Sequence, residues 1–101
     1  MNDVERLWQA IRDLHGLEAT HVRSEHVRET FRGVVARDGS VEVFAVTGHP
    51  RATTAYTWSF ENDAGNREHV AVLGVPPVNS AHDAVRAAAA AEIERGSAPQ
   101  P

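Results

Sequence analysis

Two stretches of this chain, SVEVFAV (Ser40 to Val46) and HVAVLGV (His69 to Val75), are apolar at nearly every position, and this restricts the fold more than any other feature. A strand points successive side chains to opposite faces. In the first stretch Val41, Val43 and Ala45 therefore share one face, and Phe44 and Val46 share the other with Glu42. In the second, Val70 and Val72 oppose Ala71 and Leu73. A sheet built from such strands needs cover on both sides.

The flanking segments supply two helices. Val4, Leu7, Trp8, Ile11 and Leu14 recur at three- and four-residue steps and form one apolar stripe. Asn2 and Glu5 resemble a capping box, and Gly16 is placed to close the helix so that Leu17 folds back on it. Near the other end Ser80 and Asp83 form a second capping box, opening a helix from Ala81 to about Arg95. Val85, Ala89 and Ile93 line one side of it, with Ala84, Ala88 and Ala91 as a flat flank.

Between the helices the pattern is extended. Ala19 to Arg37 carries β-branched and aromatic residues with a break expected at Gly33. The Asp38-Gly39 pair in RDGS predicts a two-residue hairpin turn, which would set Val41 opposite Ala36 and Val43 opposite Val34. A third strand runs from about Thr53 to Glu61. NDAGN (Asn62 to Asn66) is a turn, and the fourth strand ends at Pro76 and Pro77.

The order α-β-β-β-β-α predicts a single-domain α+β fold over residues 1–95, an antiparallel four-stranded sheet with two helices packed on one face. Residues 96–101 are expected to form a flexible tail. Helices gathered on one face leave the other apolar face to curl on itself, hold a ligand or pair with a second copy. A homodimer is the favoured outcome, with a further protein partner as an alternative.

Composition narrows the function classes. The 101 residues carry a formal net charge of −4, with ten basic residues and no lysine. That balance counts against nucleic-acid binding, whose affinity comes largely from cations on phosphates. The absence of cysteine removes disulfides, thiol nucleophiles and thiolate zinc sites. MNDVERLW is not a secretory signal, and no apolar run approaches a membrane span, so no membrane is expected and the cytoplasm is the expected location.

The best candidate site lies in VTGHPRATTAYTWSF, Val46 to Phe60. His49 sits between Gly48 and Pro50 in a rigid turn that suits an acid/base group or a ligand contact. Glu42 and Glu61 are the carboxylates that could orient it. Arg51, Tyr56 and Phe44 complete the proposed binding set. Tyr56, Trp58 and Phe60 lie on one strand face; the row reads as core, with Tyr56 nearest the surface, although successive aromatics on a sheet also stack bases in single-strand readers.

The six histidines show no metal-ligand spacing, and neither a metal nor a cofactor is expected. The charges Arg23, Glu25, Arg28, Glu29 and Arg32 read as a solvated strand that guards an edge, with partner recognition as the minority role. No phosphate loop, dinucleotide fingerprint or nucleophile elbow is present. The sequence therefore points to a small binding or assembly domain that self-associates. A small enzyme or ligand pocket at the Gly48-His49-Pro50 turn is the alternative, and nucleic-acid binding comes third.

The segments ETFRG, VEVFAVTGHPRA, AYTWS and PPVNSAHDAVRAA, across roughly Glu29 to Ala90, resemble a group of small bacterial proteins without an assigned activity. What the resemblance implies is a stand-alone bacterial domain. The element order also resembles the double-stranded-RNA-binding domain in outline. The basic start to the last helix expected of that family is replaced here by the nearly neutral NSAHDAVRAA.

Overall fold

A computed structural model describes residues 3–31, 33–62, 64–76 and 78–96. The order is α1 (Asp3–His15), β1 (Glu18–Phe31), β2 (Val34–Thr47), β3 (Thr54–Glu61), β4 (Arg67–Leu73) and α2 (Ala81–Gly96). The four strands form one antiparallel sheet in the order β1-β2-β3-β4. The predicted α+β class, order and sheet are all present in a single domain.

Helix α1 buries Leu7 and Ile11, with Trp8 half-buried beside them. Gly16 closes it at a positive φ of 67°, its N–H donating to Arg12 O at 2.9 Å, and Leu17 folds back into the same cluster. Leu14 departs from the predicted stripe and is 60% exposed. Asn2 of the predicted capping box lies outside the described residues, as do Pro77 and the tail beyond Gly96. At α2, Asp83 N donates to Ser80 Oγ at 3.1 Å, and the Asp83 carboxylate accepts from Asn79 N, one residue before the predicted partner.

The first hairpin turns elsewhere than its Asp-Gly pair suggests. β1 and β2 turn around Gly33, at φ +80°, and pair through thirteen positions. Val41 consequently faces Glu25 and Val43 faces Arg23, not Ala36 and Val34. A turn at Asp38-Gly39 would leave most of the segment before Arg28 without a partner strand, so the longer ladder outweighs the local turn preference. Gly39 instead sits mid-strand opposite Val27, where a Cβ would come within 3.0 Å of the Arg37 side chain. Absence of a side chain lets that guanidinium cross the strand.

The helices also divide between the sheet faces instead of sharing one. Val41 and Val43 of β2, Tyr56 and Trp58 of β3, and half-buried Val70 and Val72 of β4 pack with Ala81, Ala84 and Val85 of α2. Phe44 and Val46, Ala55, and half-buried Ala71 and Leu73 pack with Leu7 and Ile11 of α1. The two sets alternate along each strand, so they occupy opposite faces. Double patterning is thereby satisfied within one chain, which removes the reason for a dimer formed through a bare sheet face. Phe60 shares the α2 face but reaches its margin and is 37% exposed, so it is not the core residue the sequence suggested.

The strands are unequal partners. β2 meets β3 only from Glu42 to Ala45, against Thr57 to Thr54, while β3 and β4 stay paired from Ala55 to Glu61. Beyond Glu42 the two hairpins part. Arg37 spans the gap, donating to Ser59 O at 3.0 Å and to Ser40 O at 2.6 Å. These bonds satisfy carbonyls that a continuous ladder would otherwise use. Among the described residues no helix is long and apolar enough to cross a membrane.

Candidate functional site

His49 is held by its own turn. Gly48 takes a φ of +100°, with Leu17 Cδ2 within 3.5 Å of where a Cβ would stand. Pro50 then fixes the chain direction. The His49 Nδ1 accepts from the N–H groups of Arg51 at 3.0 Å and Ala52 at 2.8 Å. A nitrogen that accepts two backbone donors carries no proton, so the neutral ring is protonated at Nε2. His49 thus works as the turn's acceptor, in the way an Asn or Asp side chain does in an Asx turn. Val46 N donates to Thr53 O at 3.0 Å and closes the loop behind it.

The other residues of the predicted site do not gather there. Arg51 is exposed on the loop. Phe44 is 1% exposed under α1, whereas Tyr56 lies beneath α2 on the opposite face. Their positions follow from pairing, since Val43 faces Tyr56 and Phe44 faces Ala55. Burial pushes the Tyr56 phenol above its ordinary pKa; Arg23 opposes this, and Glu25 and Asp83 reinforce it. Tyr56 and Trp58 are both buried, so neither offers a free ring face for stacking a base.

A second cluster appears where β1 lies against β2. Glu42, a candidate to orient His49, instead accepts on Oε1 from His21 Nε2 at 2.8 Å and from Ser24 Oγ. Thr57 Oγ1 donates to Glu42 O at 2.9 Å. The His21 ring meets Phe44 edge to face, 5.2 Å between centroids. Serine, histidine and a carboxylate are all present, but the carboxylate stands in the middle. Nucleophile activation needs the imidazole between the other two, to take the hydroxyl proton. Here both donors converge on one oxygen, which fastens β1 to β2 and keeps a nearly buried carboxylate solvated by protein.

Along the same face, further from α1, the hairpin carries exposed Ser24, His26, Arg28, Asp38 and Ser40. His26 Nε2 lies 2.9 Å from Asp38 Oδ1, and Arg28 Nε lies 3.9 Å from Oδ2. On the other face Glu29 ties β1 to α2, with His82 Nδ1 at 2.7 Å and Arg86 Nε at 2.9 Å. Register with β2 brings His21 to Glu42 and His26 to Asp38, so neither pair can be read from spacing along the chain. A third arrangement sits where the hairpins part. Arg67 Nη2 donates to Ser59 Oγ at 3.1 Å, beside the Arg37 bond to Ser59 O. Burial, followed by the nearby Arg67 charge, lowers the Arg37 pKa, while Asp38 raises it. Among the described residues no group of three or more His, Cys, Asp or Glu side chains is arranged to hold a metal ion.

No family model, no curated protein and no solved structure matches this chain. The functional reading therefore stands on the side chains themselves.

Proposed function

We propose that the protein is a small binding and assembly domain that presents the long β1–β2 hairpin to its partner. The observation that supports this reading is the mismatch between the hairpin and the sheet. β1 and β2 pair along their whole length, yet β3 accompanies β2 only from Glu42 to Ala45. The rest of the hairpin extends past that junction, and its α1-side face carries exposed Ser24, His26, Arg28, Asp38 and Ser40, over which no helix lies among the described residues. Polar groups on a two-stranded arm whose other face is held by α2, through Val27 and Glu29, give hydrogen-bonding specificity at little ordering cost.

Capture from native lysate tests this reading, with wild-type protein compared against a variant carrying His26→Ala and Arg28→Glu. Retention of a partner by the wild type, reduced at least about tenfold in the variant, is the expected result. Equal retention by both proteins, or nothing above a blank, would count against it. Both should show the same far-ultraviolet circular dichroism, since the altered side chains lie outside the two cores.

A further inference from the structure

β1 is an edge strand, and its regular portion has a symmetry of its own. Pairing with β2 is shifted between His21 and Arg23 and again between Glu29 and Thr30. Between these irregularities lie seven uninterrupted positions, Arg23 to Glu29, centred on His26. An edge strand leaves a row of backbone N–H and C=O groups for another chain to pair with. Elsewhere α1 serves the edge strands: Trp8 Nε1 donates to Ala19 O of β1 at 2.9 Å, and His15 Nε2 lies 3.0 Å from Ala71 O of β4. Among the described residues no side chain bonds the backbone of Arg23 to Glu29.

We propose that this run pairs antiparallel with the same run of a second copy, about a two-fold axis through His26, joining two sheets into one of eight strands. This deepens the assembly reading above and rests on it, naming a second copy as the partner. Symmetry limits the registers sharply. Two-fold antiparallel pairing opposes residues whose numbers add to a constant, and opposed side chains point to the same face, so the axis must pass through a residue. An axis at Glu25 sets that carboxylate against itself. One at Val27 opposes Glu25 to Glu29, and one at Ser24 runs into the irregularity beside Val22. Only the axis at His26 uses all seven positions.

That register opposes Arg23 to the partner's Glu29 at both ends, with Ser24 against Arg28 and Glu25 against Val27 between them. Opposite charges directly across a strand pair are favourable, and like charges are unfavourable by similar amounts. Glu29 is already held in place by His82 and Arg86. Among the described residues Arg23 pairs with Glu25 alone, at 3.6 Å, and its side chain is 52% exposed and able to turn toward a partner. Charges that deter pairing in other registers therefore select this one.

Analytical ultracentrifugation of full-length wild type, R23E, E29R and an equimolar mixture of the two variants tests the register. Wild type should dimerise at micromolar concentration. Each variant alone replaces two attractive pairs with two repulsive ones and should dimerise roughly ten- to a hundredfold more weakly. Mixing them restores opposite charges at both ends and should recover a one-to-one heterodimer. Because E29R also loses the ties to α2, R23E and H26E carry the test if it does not fold; H26E opposes two carboxylates on the axis and should weaken the dimer likewise. A monomeric wild type, or an R23E protein as dimeric as wild type, would overturn the proposal. Either result leaves the lysate-capture comparison to decide the broader binding reading on its own.

Discussion

Replacing His49 with alanine should destabilise the domain by about 1–2 kcal/mol, and the structure says where that loss comes from. Two N–H groups lose their acceptor. The Arg51 amide, at 3.0 Å from Nδ1, belongs to an exposed residue and can turn to water at small cost. Ala52 is 1% exposed, and its amide, at 2.8 Å, is left without a partner at a penalty of roughly 1–3 kcal/mol before relaxation. For a domain of this size the loss corresponds to a fall of about 5–15 °C in Tm. Urea unfolding followed by tryptophan fluorescence, from half-buried Trp8 and buried Trp58, is the assay. His49→Asn should recover most of the loss, because its side-chain oxygen can reach the same donors. His49→Phe keeps a ring but no acceptor, and should unfold like the alanine variant. If His49→Ala lies within about 0.3 kcal/mol of wild type, or phenylalanine serves as well as asparagine, the acceptor role is wrong.

Tyr56 is the sole tyrosine, so its ionisation can be followed directly by phenolate absorbance. Burial raises its folded-state pKa, so it should titrate above about pH 10 in the native protein and near that value in urea. A folded pKa above the unfolded one means a stabilising contribution present in full below about pH 10 and lost as pH rises through the folded value. Equal midpoints in water and urea would contradict the burial under α2. Phe44 and Phe60 should also differ: Phe44→Ala, at 1% exposed, should cost about 3–5 kcal/mol, and Phe60→Ala, at 37%, clearly less, as measured by chemical denaturation.

Local signals carried the element order well. The three- and four-residue apolar steps of α1, the Ser80 cap of α2 and the Asn62 turn each act within a few residues, and each is where the periodicity places it. Asn62 Oδ1 accepts from Ala64 N and Asn66 N, as a turn asparagine should. In the first hairpin Asp38-Gly39 is a strong local signal that loses to a non-local one. Thirteen cross-strand positions around Gly33 outweigh one favourable dipeptide. Candidate chemistry inherited that difficulty. His21 meets Glu42, and His26 meets Asp38, only in the register set by the Gly33 turn, so a hairpin closing at Gly39 hides both pairs. Gly48 and Pro50 mark His49 as unusual in the sequence, and both serve the same turn as its ring.

Which face each helix covers has a different origin. Periodicity along α1 and α2 reports that each has an apolar side, and nothing in a stripe of side chains says which side of a sheet it will meet. With both helices on one face, Val41 to Val46 would demand a large apolar contact with another molecule, the kind that makes an obligate dimer. With one helix on each face, that demand vanishes, and what the sheet leaves open to a partner is the backbone of its edge strands. Association through such a margin relies on ladder hydrogen bonds and exposed charge pairs. It buries little apolar surface, so it should be reversible and sensitive to salt, which screens charges at this exposure. In the proposed dimer Arg23 and Glu29 would serve two purposes: they discourage pairing of the β1 edge in other registers, and they favour it where a second copy presents the same run in reverse.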